Sequence, residues 1–398
     1  MLDTPKSAVA ARPLQKGDRV ILVDGSSFVF RAYFQSMNQD RKYNARSDGL
    51  PTGAVRLFCT KLFQFIREGA VGMLPTHLAI IFDKTEDSFR KEIYADYKAH
   101  RPDPPDELIP QFPLMRDAVR AFGLIPVEQE RYEADDIIAA YARQGAEAGA
   151  EVLIVSSDKD LMQMVGDGVT FYDFESGIKG KPGYRPERRL DRAGVIEKFG
   201  VPPEKVPDVQ ALIGDPTDNV PGVPGIGIKT AAQLINEFGD LETLLARVDE
   251  IKQPKRRESL IEHTESARIS KTLVTLDSGM TVDVPLADLA LAEVDAKQLI
   301  AFFKAMEFTT LTKRAAEIYS IDAGAIDPDP RLAAAGAAHA NASGEAPAAT
   351  ARTSGTATAG EPGAERTPQA LAQSRATAAA ARKLDRAAYA TIADIATL

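Results

Sequence analysis

The chain has one cysteine, Cys59, no tryptophan and four histidines in 398 residues. A single cysteine excludes any disulfide within the chain and fits a reducing, cytoplasmic setting. The histidines His77, His100, His263 and His339 show no ligand spacing, and with one cysteine this argues against a zinc site. Long apolar runs are missing too. None approaches the ~20 residues of a membrane span, and Met1 to Arg19 is polar, without the apolar stretch of an export signal. No membrane association is expected. Positive charge is also in short supply, with 48 basic against 57 acidic residues and a net charge of −9. That balance argues against nucleic acid as a partner. Divalent cations held by the chain would cancel many acids locally, however, so local patterning has to decide.

What is present is a globular composition, 44% hydrophobic and 26% charged. Arg19 to Asp24 (RVILVD), His77 to Asp83 (HLAIIFD) and Glu151 to Ser156 (EVLIVS) are short apolar runs that read as buried strands. Helical patterns, such as Thr52 to Glu68 and Ile109 to Phe122, lie between them. The alternation predicts an α/β fold with a mostly parallel central sheet flanked by helices. A more helical region follows, with a Gly/Pro-rich turn running into an amphipathic helix over Pro221 to Gly239 and further helices near Leu241–Ile251 and Ala296–Met306.

Each predicted strand delivers acid at its carboxyl end: Asp24, Asp83, and the pair Asp158 and Asp160. Side chains just past the strand ends of an open parallel sheet converge on one crevice. Asp is also a common turn residue after a strand, but that explanation weakens when three strands share the feature. Glu133, Asp135 and Asp136 open a predicted helix, exceeding what a cap needs, and Asp215 and Asp218 add another pair. Two carboxylates ~4 Å apart repel by about 4 kcal/mol at an effective dielectric near 20. Half a dozen together would strain a fold stable by only ~5–15 kcal/mol. Hard divalent cations with oxygen ligands, Mg²⁺ or Mn²⁺, are the expected counter-charge. Two such ions ~4 Å apart are suited to phosphodiester hydrolysis.

Two other stretches point to nucleic acid. Phe89 to Pro102 carries Arg90, Lys91, Lys98 and Arg101 interleaved with Tyr94 and Tyr97. On a helix Tyr94, Tyr97, Lys98 and Arg101 would share one face, combining cations for phosphate with aromatics for bases. A solvated basic helix is the plainer alternative. Gly222 to Lys229 is not a phosphate-binding P-loop, because Ile228 separates Gly227 from Lys229 and no strand precedes. It reads better as a helix–turn–helix whose backbone N–H groups face a DNA phosphate, or as an ordinary helical hairpin.

The runs VDGSSFVFRAYF, DGLPTGAV, IIFDK, FRKEIYADYKAHRP, YEADDIIA, VSSDKDLMQMV and LIGDPTDNVPGVPGIGIKTA, in that order, resemble the 5′-nuclease domain of bacterial DNA polymerase I over about Gly17 to Ile321. The resemblance implies a divalent-metal-dependent 5′–3′ exonuclease and 5′-flap endonuclease acting on DNA and RNA primers. It implies a three-layer flap-nuclease-like fold, a helical arch near residues 86–110, and a helix–three-turn–helix over 206–239. By the same resemblance, Asp24, Asp83, Glu133 and Asp135 form a first metal group. Asp136, Asp158, Asp160, Asp215 and Asp218 form the second group and its surroundings. Lys98 and Arg101 match positions that hold the scissile phosphate, Tyr97 a base-stacking position and Arg31 an arginine facing the site. Gly222, Gly225, Gly227, Lys229 and Thr230 match the duplex-binding turn, where K⁺ is also implied, and Arg90 and Tyr94 complete the DNA-binding set.

The organisation expected from composition is a flexible segment over 1–16 and a nuclease domain over 17–325, with a metal-binding core to 200 and a helical part from 201. An Ala/Gly/Thr/Pro-rich disordered linker over 326–383 follows. Residues 384–398 resemble the truncated start of a proofreading-type domain, so a polymerase module in cis is expected. A monomer acting on flapped, nicked or primer-bearing DNA near the nucleoid is expected. Two rival readings fit the sequence less well. A small-molecule phosphatase would need a D-x-D pattern where Asp24 is followed by Gly25 and Ser26. A DNA-binding scaffold without activity would have lost acids that are all present.

Overall fold

The structure, a computed structural model, describes residues 11–85, 87–174 and 184–333. Six strands form one sheet: β1 (Arg19–Asp24), β2 (His77–Ile81), β3 (Pro126–Val127), β4 (Glu151–Val155), β5 (Val169–Asp173) and β6 (Arg188–Leu190). Their order is β3-β2-β1-β4-β5-β6, and every pairing is parallel except β5 with β6. β1 and β2 are almost wholly buried, as expected of strands covered on both faces. Alternation splits β1 between two cores. Val20 and Leu22 face one hydrophobic cluster, and Ile21 and Val23 face the other.

Helices cover both faces and make three layers. The Ile21 side packs α1 (Gly25–Met37), α2 (Gly53–Arg67) and, after the short α3 (Phe89–Ile93), α4 (Gln111–Ala121). The Val20 side begins with α5 (Ala134–Glu147). Beyond the sheet follow α6 (Arg192–Phe199), α7 (Val206–Ile213), α8 (Ile228–Phe238), α9 (Leu241–Ala246), α10 (Pro254–Glu262), α11 (Thr264–Val274), α12 (Ala296–Ala305) and α13 (Thr309–Tyr319). The chain leaves β1 toward β2 and β3 on one side, then returns to add β4 on the other. A topological switch point therefore lies between β1 and β4, at the carboxyl ends where ligands bind in such sheets.

Two expectations need correction. Residues 86–110 form no helical arch among the described residues. α3 stops at Ile93, Tyr94 turns extended, Lys98 takes a left-handed φ of 57°, and prolines at 102, 104 and 105 bar a helix from resuming. The folded part also outruns both ends set by composition. Arg12 pairs with Asp18 at 2.7 Å, and its amide donates to the Ala287 carbonyl. At the other end, residues 326–333 dock on the domain. Buried Arg46 donates to the carbonyls of Ala305 (3.0 Å) and Leu332 (2.8 Å), and the Asp329 amide donates to Ala301. The remainder of the expected linker and the segment 384–398 lie outside the described residues, as do residues 1–10.

Candidate active site

The site grows from the turn after β1. Gly25 must be a glycine, because a Cβ there would sit 2.7 Å from the Phe82 ring and 2.8 Å from the Ile81 carbonyl. The tight turn lets Asp24 end the strand and cap α1, its carboxylate accepting the Ser27 amide at 2.9 Å. Its other oxygen accepts the Ser156 hydroxyl at 2.6 Å, and that hydroxyl accepts the Asp158 amide at 2.9 Å. One serine thus ties the ends of β1 and β4 across the switch point. Beyond β2, the Asp83 amide donates to Ser26 (3.0 Å), while the Asp83 carboxylate accepts the Ala134 amide at the start of α5 (2.8 Å). This bond sets α5 over the strand ends with Glu133 as its N-cap and Asp135 in its first turn.

These elements enclose a cleft of about 330 Å³. Asp24, Asp83, Glu133, Asp135, Asp158, Asp215 and Asp218 line it, with Lys98, Arg101 and Lys159 among them. The cations divide the acids. Lys98 sits 2.8 Å from Glu133, Arg101 donates to Asp218 at 2.9 Å, and Lys159 pairs with Asp215. Glu133 is held below its ordinary range: burial opposes this, but Lys98 and Arg90 outweigh it. Lys159 does the same for Asp215 against its burial. The remaining acids form no ion pair among the described residues, although Lys98 tempers Asp135. Burial, and then the charges of Asp83 and Asp158, push Asp24 up to about 7. Asp135 is raised well above the usual carboxylate range by burial and by Asp158 and Asp24.

Seven of the nine expected metal ligands therefore meet in one cleft, and two do not. Asp136 is fully buried and turned away from it. It accepts both terminal nitrogens of Arg90, at 2.6 and 2.8 Å, and the Asp277 amide at 2.9 Å. Arg90, expected on DNA, is equally buried and also donates to the Leu273 carbonyl (2.7 Å). The two form an internal ion pair that pins α3 to α5 and α11. Asp160 lies behind the cleft, bonded to the buried Gln210 and 3.7 Å from Lys159.

The aromatic expectation also fails. Tyr97 is buried with Val220, Leu273 and Val274, and its hydroxyl donates to Glu133 at 3.2 Å, so it cannot stack on a base. Tyr94 packs on the same cluster. Without a helix there is no shared face, yet Lys98 and Arg101 still reach the cleft. Arg31 stacks 4.3 Å over the Phe174 ring and is not among the residues lining the cleft. In the glycine turn, Gly222 (φ 64°) is buried where a Cβ would lie 2.4 Å from the Gly214 nitrogen. Its role is close backbone approach. Gly225, Gly227 and Lys229 are exposed, and Thr230 is half-buried. Sequence reasoning missed Ser26, Ser156 and Lys159. Lys159, flanked by Asp158 and Asp160, carried a signal in its neighbours; the serines carried none.

Do these residues suit metal ions? Among the described residues no three acids stand close enough together to enclose an ion as the side chains lie. The donor set nevertheless suits hard cations. It is all oxygen, and burial together with neighbouring carboxylates raises the pKa of Asp24 and Asp135, neither of which forms an ion pair among the described residues. Lys98, Arg101 and Lys159 already pair with Glu133, Asp218 and Asp215. Carboxylates short of positive charge, beside cations that could transfer to a phosphate, are what an enzyme needs to hold and cut a phosphodiester. The class is nuclease.

The chain belongs to the 5′-3′ exonuclease family: residues 19–200 match its N-terminal resolvase-like domain and residues 201–297 its C-terminal SAM fold. DNA polymerase I of Rhizobium leguminosarum is 52% identical over 324 residues, 81% of this chain and 30% of that protein. DNA polymerase I of Bacillus caldotenax is 38% identical over 298 residues, 74% of this chain and 32% of the relative. The chain thus spans about a third of the length of these relatives. Among solved structures, zinc-bound T5 5′-exonuclease superposes with a TM-score of 0.51 at 21% identity, covering 75% of this chain and 99% of that one. At that identity the likeness is one of fold.

Proposed function

We propose that this domain is a divalent-metal-dependent 5′–3′ exonuclease and 5′-flap endonuclease acting on DNA and RNA primers, using two Mg²⁺ or Mn²⁺ ions. The observation that carries this reading is the division of the cleft, where Asp24, Asp83, Asp135 and Asp158 converge with no ion pair among the described residues while Glu133, Asp215 and Asp218 are paired. These four residues would hold the ions, which would supply an activated water and neutralise the phosphate. Lys98 and Arg101 stand at the rim, held by Glu133 and Asp218 until a phosphate arrives to share their charge. Tyr97 keeps Glu133 aimed at Lys98, so the cation waits in place rather than moving with the solvent. The exposed end of α8, with Gly225, Gly227 and Lys229, is proposed to hold duplex backbone, with K⁺ at the turn. The length of the DNA polymerase I relatives supports a polymerase module working in cis.

The test is cleavage of a 5′-flap substrate with product-length mapping, with Mg²⁺ and in excess EDTA. Products cut at the flap junction, seen only with metal, are expected. Undiminished cutting in EDTA, or binding without cutting in Mg²⁺, would refute the proposal.

A further inference from the structure

The segment Lys252-Gln-Pro-Lys255-Arg256-Arg257 puts four cations in six residues of a chain whose net charge is −9. It leads into α10, whose first turn holds no acid and whose N-cap Gln253 makes no side-chain cap. Lys252 and Lys255 are exposed and Arg256 is half-buried. None of the three has an ion pair among the described residues. Arg256 reaches only the Gln253 side chain, at 3.3 Å. Arg257 turns back toward the Ile251 carbonyl and is not part of the exposed set. Cations at the start of a helix oppose its dipole, and no ion pair among the described residues compensates these three.

Their position gives the arrangement a use. Ser259 of α10 donates to the Pro224 carbonyl at 2.8 Å, which fastens this helix to the glycine turn. Lys255 and Arg256 lie four and three residues before Ser259, so they share its helical face. Lys252 precedes the helix by two residues. That face therefore lies near Pro224, the residue before the exposed Gly225 of the turn that leads to Lys229. Side chains of one sign with no acid partner, alongside exposed backbone N–H groups, suit a regular row of phosphates.

We propose that Lys252, Lys255 and Arg256 extend the glycine turn into one phosphate track, which holds the backbone of double-stranded DNA beyond the contacts made at Lys229. This rests on the reading of the turn as a duplex contact. It adds a second footprint, further along the duplex arm, that sets binding affinity and not chemistry.

The test uses the full chain with a flap substrate carrying a long duplex arm. Kd is measured against salt, and cleavage at saturating DNA, for wild type, Lys229→Ala, and the triple variant Lys252→Ala/Lys255→Ala/Arg256→Ala. A control variant, Lys297→Ala/Lys313→Ala, removes exposed charge from α12 and α13. The triple variant should lower the salt slope by about two to three, weaken Kd by roughly tenfold or more, and leave the saturated rate unchanged. A duplex arm trimmed until the triple variant and wild type bind alike should still register Lys229→Ala. An unchanged slope in the triple variant, or an equal loss in the control, would overturn the proposal. If the triple variant weakens binding while Lys229→Ala does not, the turn reading fails and the basic face stands alone. If only Lys229→Ala weakens binding, the extension is wrong and the turn reading stands.

Discussion

Asp135 and Asp136 are neighbours in sequence, and replacing each with Asn should have opposite effects on the metal-free protein. Asp136 gives both oxygens to Arg90 in a fully buried pair and also accepts the Asp277 amide. Asp136→Asn leaves the buried guanidinium with Glu133, 3.7 Å away, as its nearest carboxylate. Removing one partner of a buried pair costs about 3–5 kcal/mol. A large domain loses roughly 2–4 °C per kcal/mol, so Tm should fall by roughly 6–20 °C. Asp135 faces the cleft, where burial, and then the charges of Asp158 and Asp24, raise its pKa. A like charge ~6 Å away at an effective dielectric near 20 repels by about 3 kcal/mol, and partial protonation already relieves some of that. Asp135→Asn should therefore leave Tm equal or a few degrees higher in EDTA while nearly abolishing cleavage. Thermal unfolding in EDTA, with flap cleavage at a temperature where all variants are folded, reads both effects. The double change Arg90→Met/Asp136→Leu should recover much of the lost stability, because an apolar pair can replace a buried ion pair. If Asp136→Asn keeps the wild-type Tm and loses activity while Asp135→Asn unfolds, the two residues have been assigned the wrong way round.

Other expectations follow from the same contacts. Lys98→Ala should slow cleavage at saturating DNA more than it weakens binding, since Lys98 waits at the cleft where charge develops; Lys229→Ala should do the reverse and lower the salt slope by about one. Equal effects of both changes on both steps would contradict this division. In EDTA the protein should lose stability as pH rises from about 5 to 8. Asp24 and Asp160 hold protons up to about 7, so the folded state binds more protons than the unfolded chain across that window. Mg²⁺ should cancel the loss, and a Tm that rises steadily with pH in EDTA would contradict it. Cutting the chain after Ile326 removes the Leu332 and Ala333 carbonyls that Arg46 binds, and should lower Tm relative to a chain cut after Glu345, with no change in the flap-cutting rate. Identical Tm values for the two truncations would mean that the docked segment contributes nothing.

What the sequence disclosed depended on whether local pattern or distant contact decided each feature. RVILVD and EVLIVS showed strands because both faces of a parallel sheet are buried, which leaves a continuous apolar run. The acids at their ends followed directly, since strand ends in such a sheet share one crevice. EADDIIAAYA announced a helix start, but periodicity cannot say which of Asp135 and Asp136 faces outward. A partner 46 residues away settled that, and Arg90 read as a surface cation for the same reason. Tyr97 looked available for stacking only while a helix was assumed through it. The prolines at 102, 104 and 105 lie beyond Arg101, so nothing in the local spacing of Tyr94, Tyr97, Lys98 and Arg101 announced the break at Tyr94. Lys98 reaches the cleft by another route, a left-handed turn whose amide donates to the Asp218 carbonyl at 2.9 Å. Its location was thus anticipated from a geometry that does not exist, because chemistry near the acids constrains a lysine more tightly than its secondary structure does. The basic face of α10 was overlooked for the converse reason. Its cations stand out only once the contact between Ser259 and Pro224 sets them beside a turn 35 residues earlier in the chain.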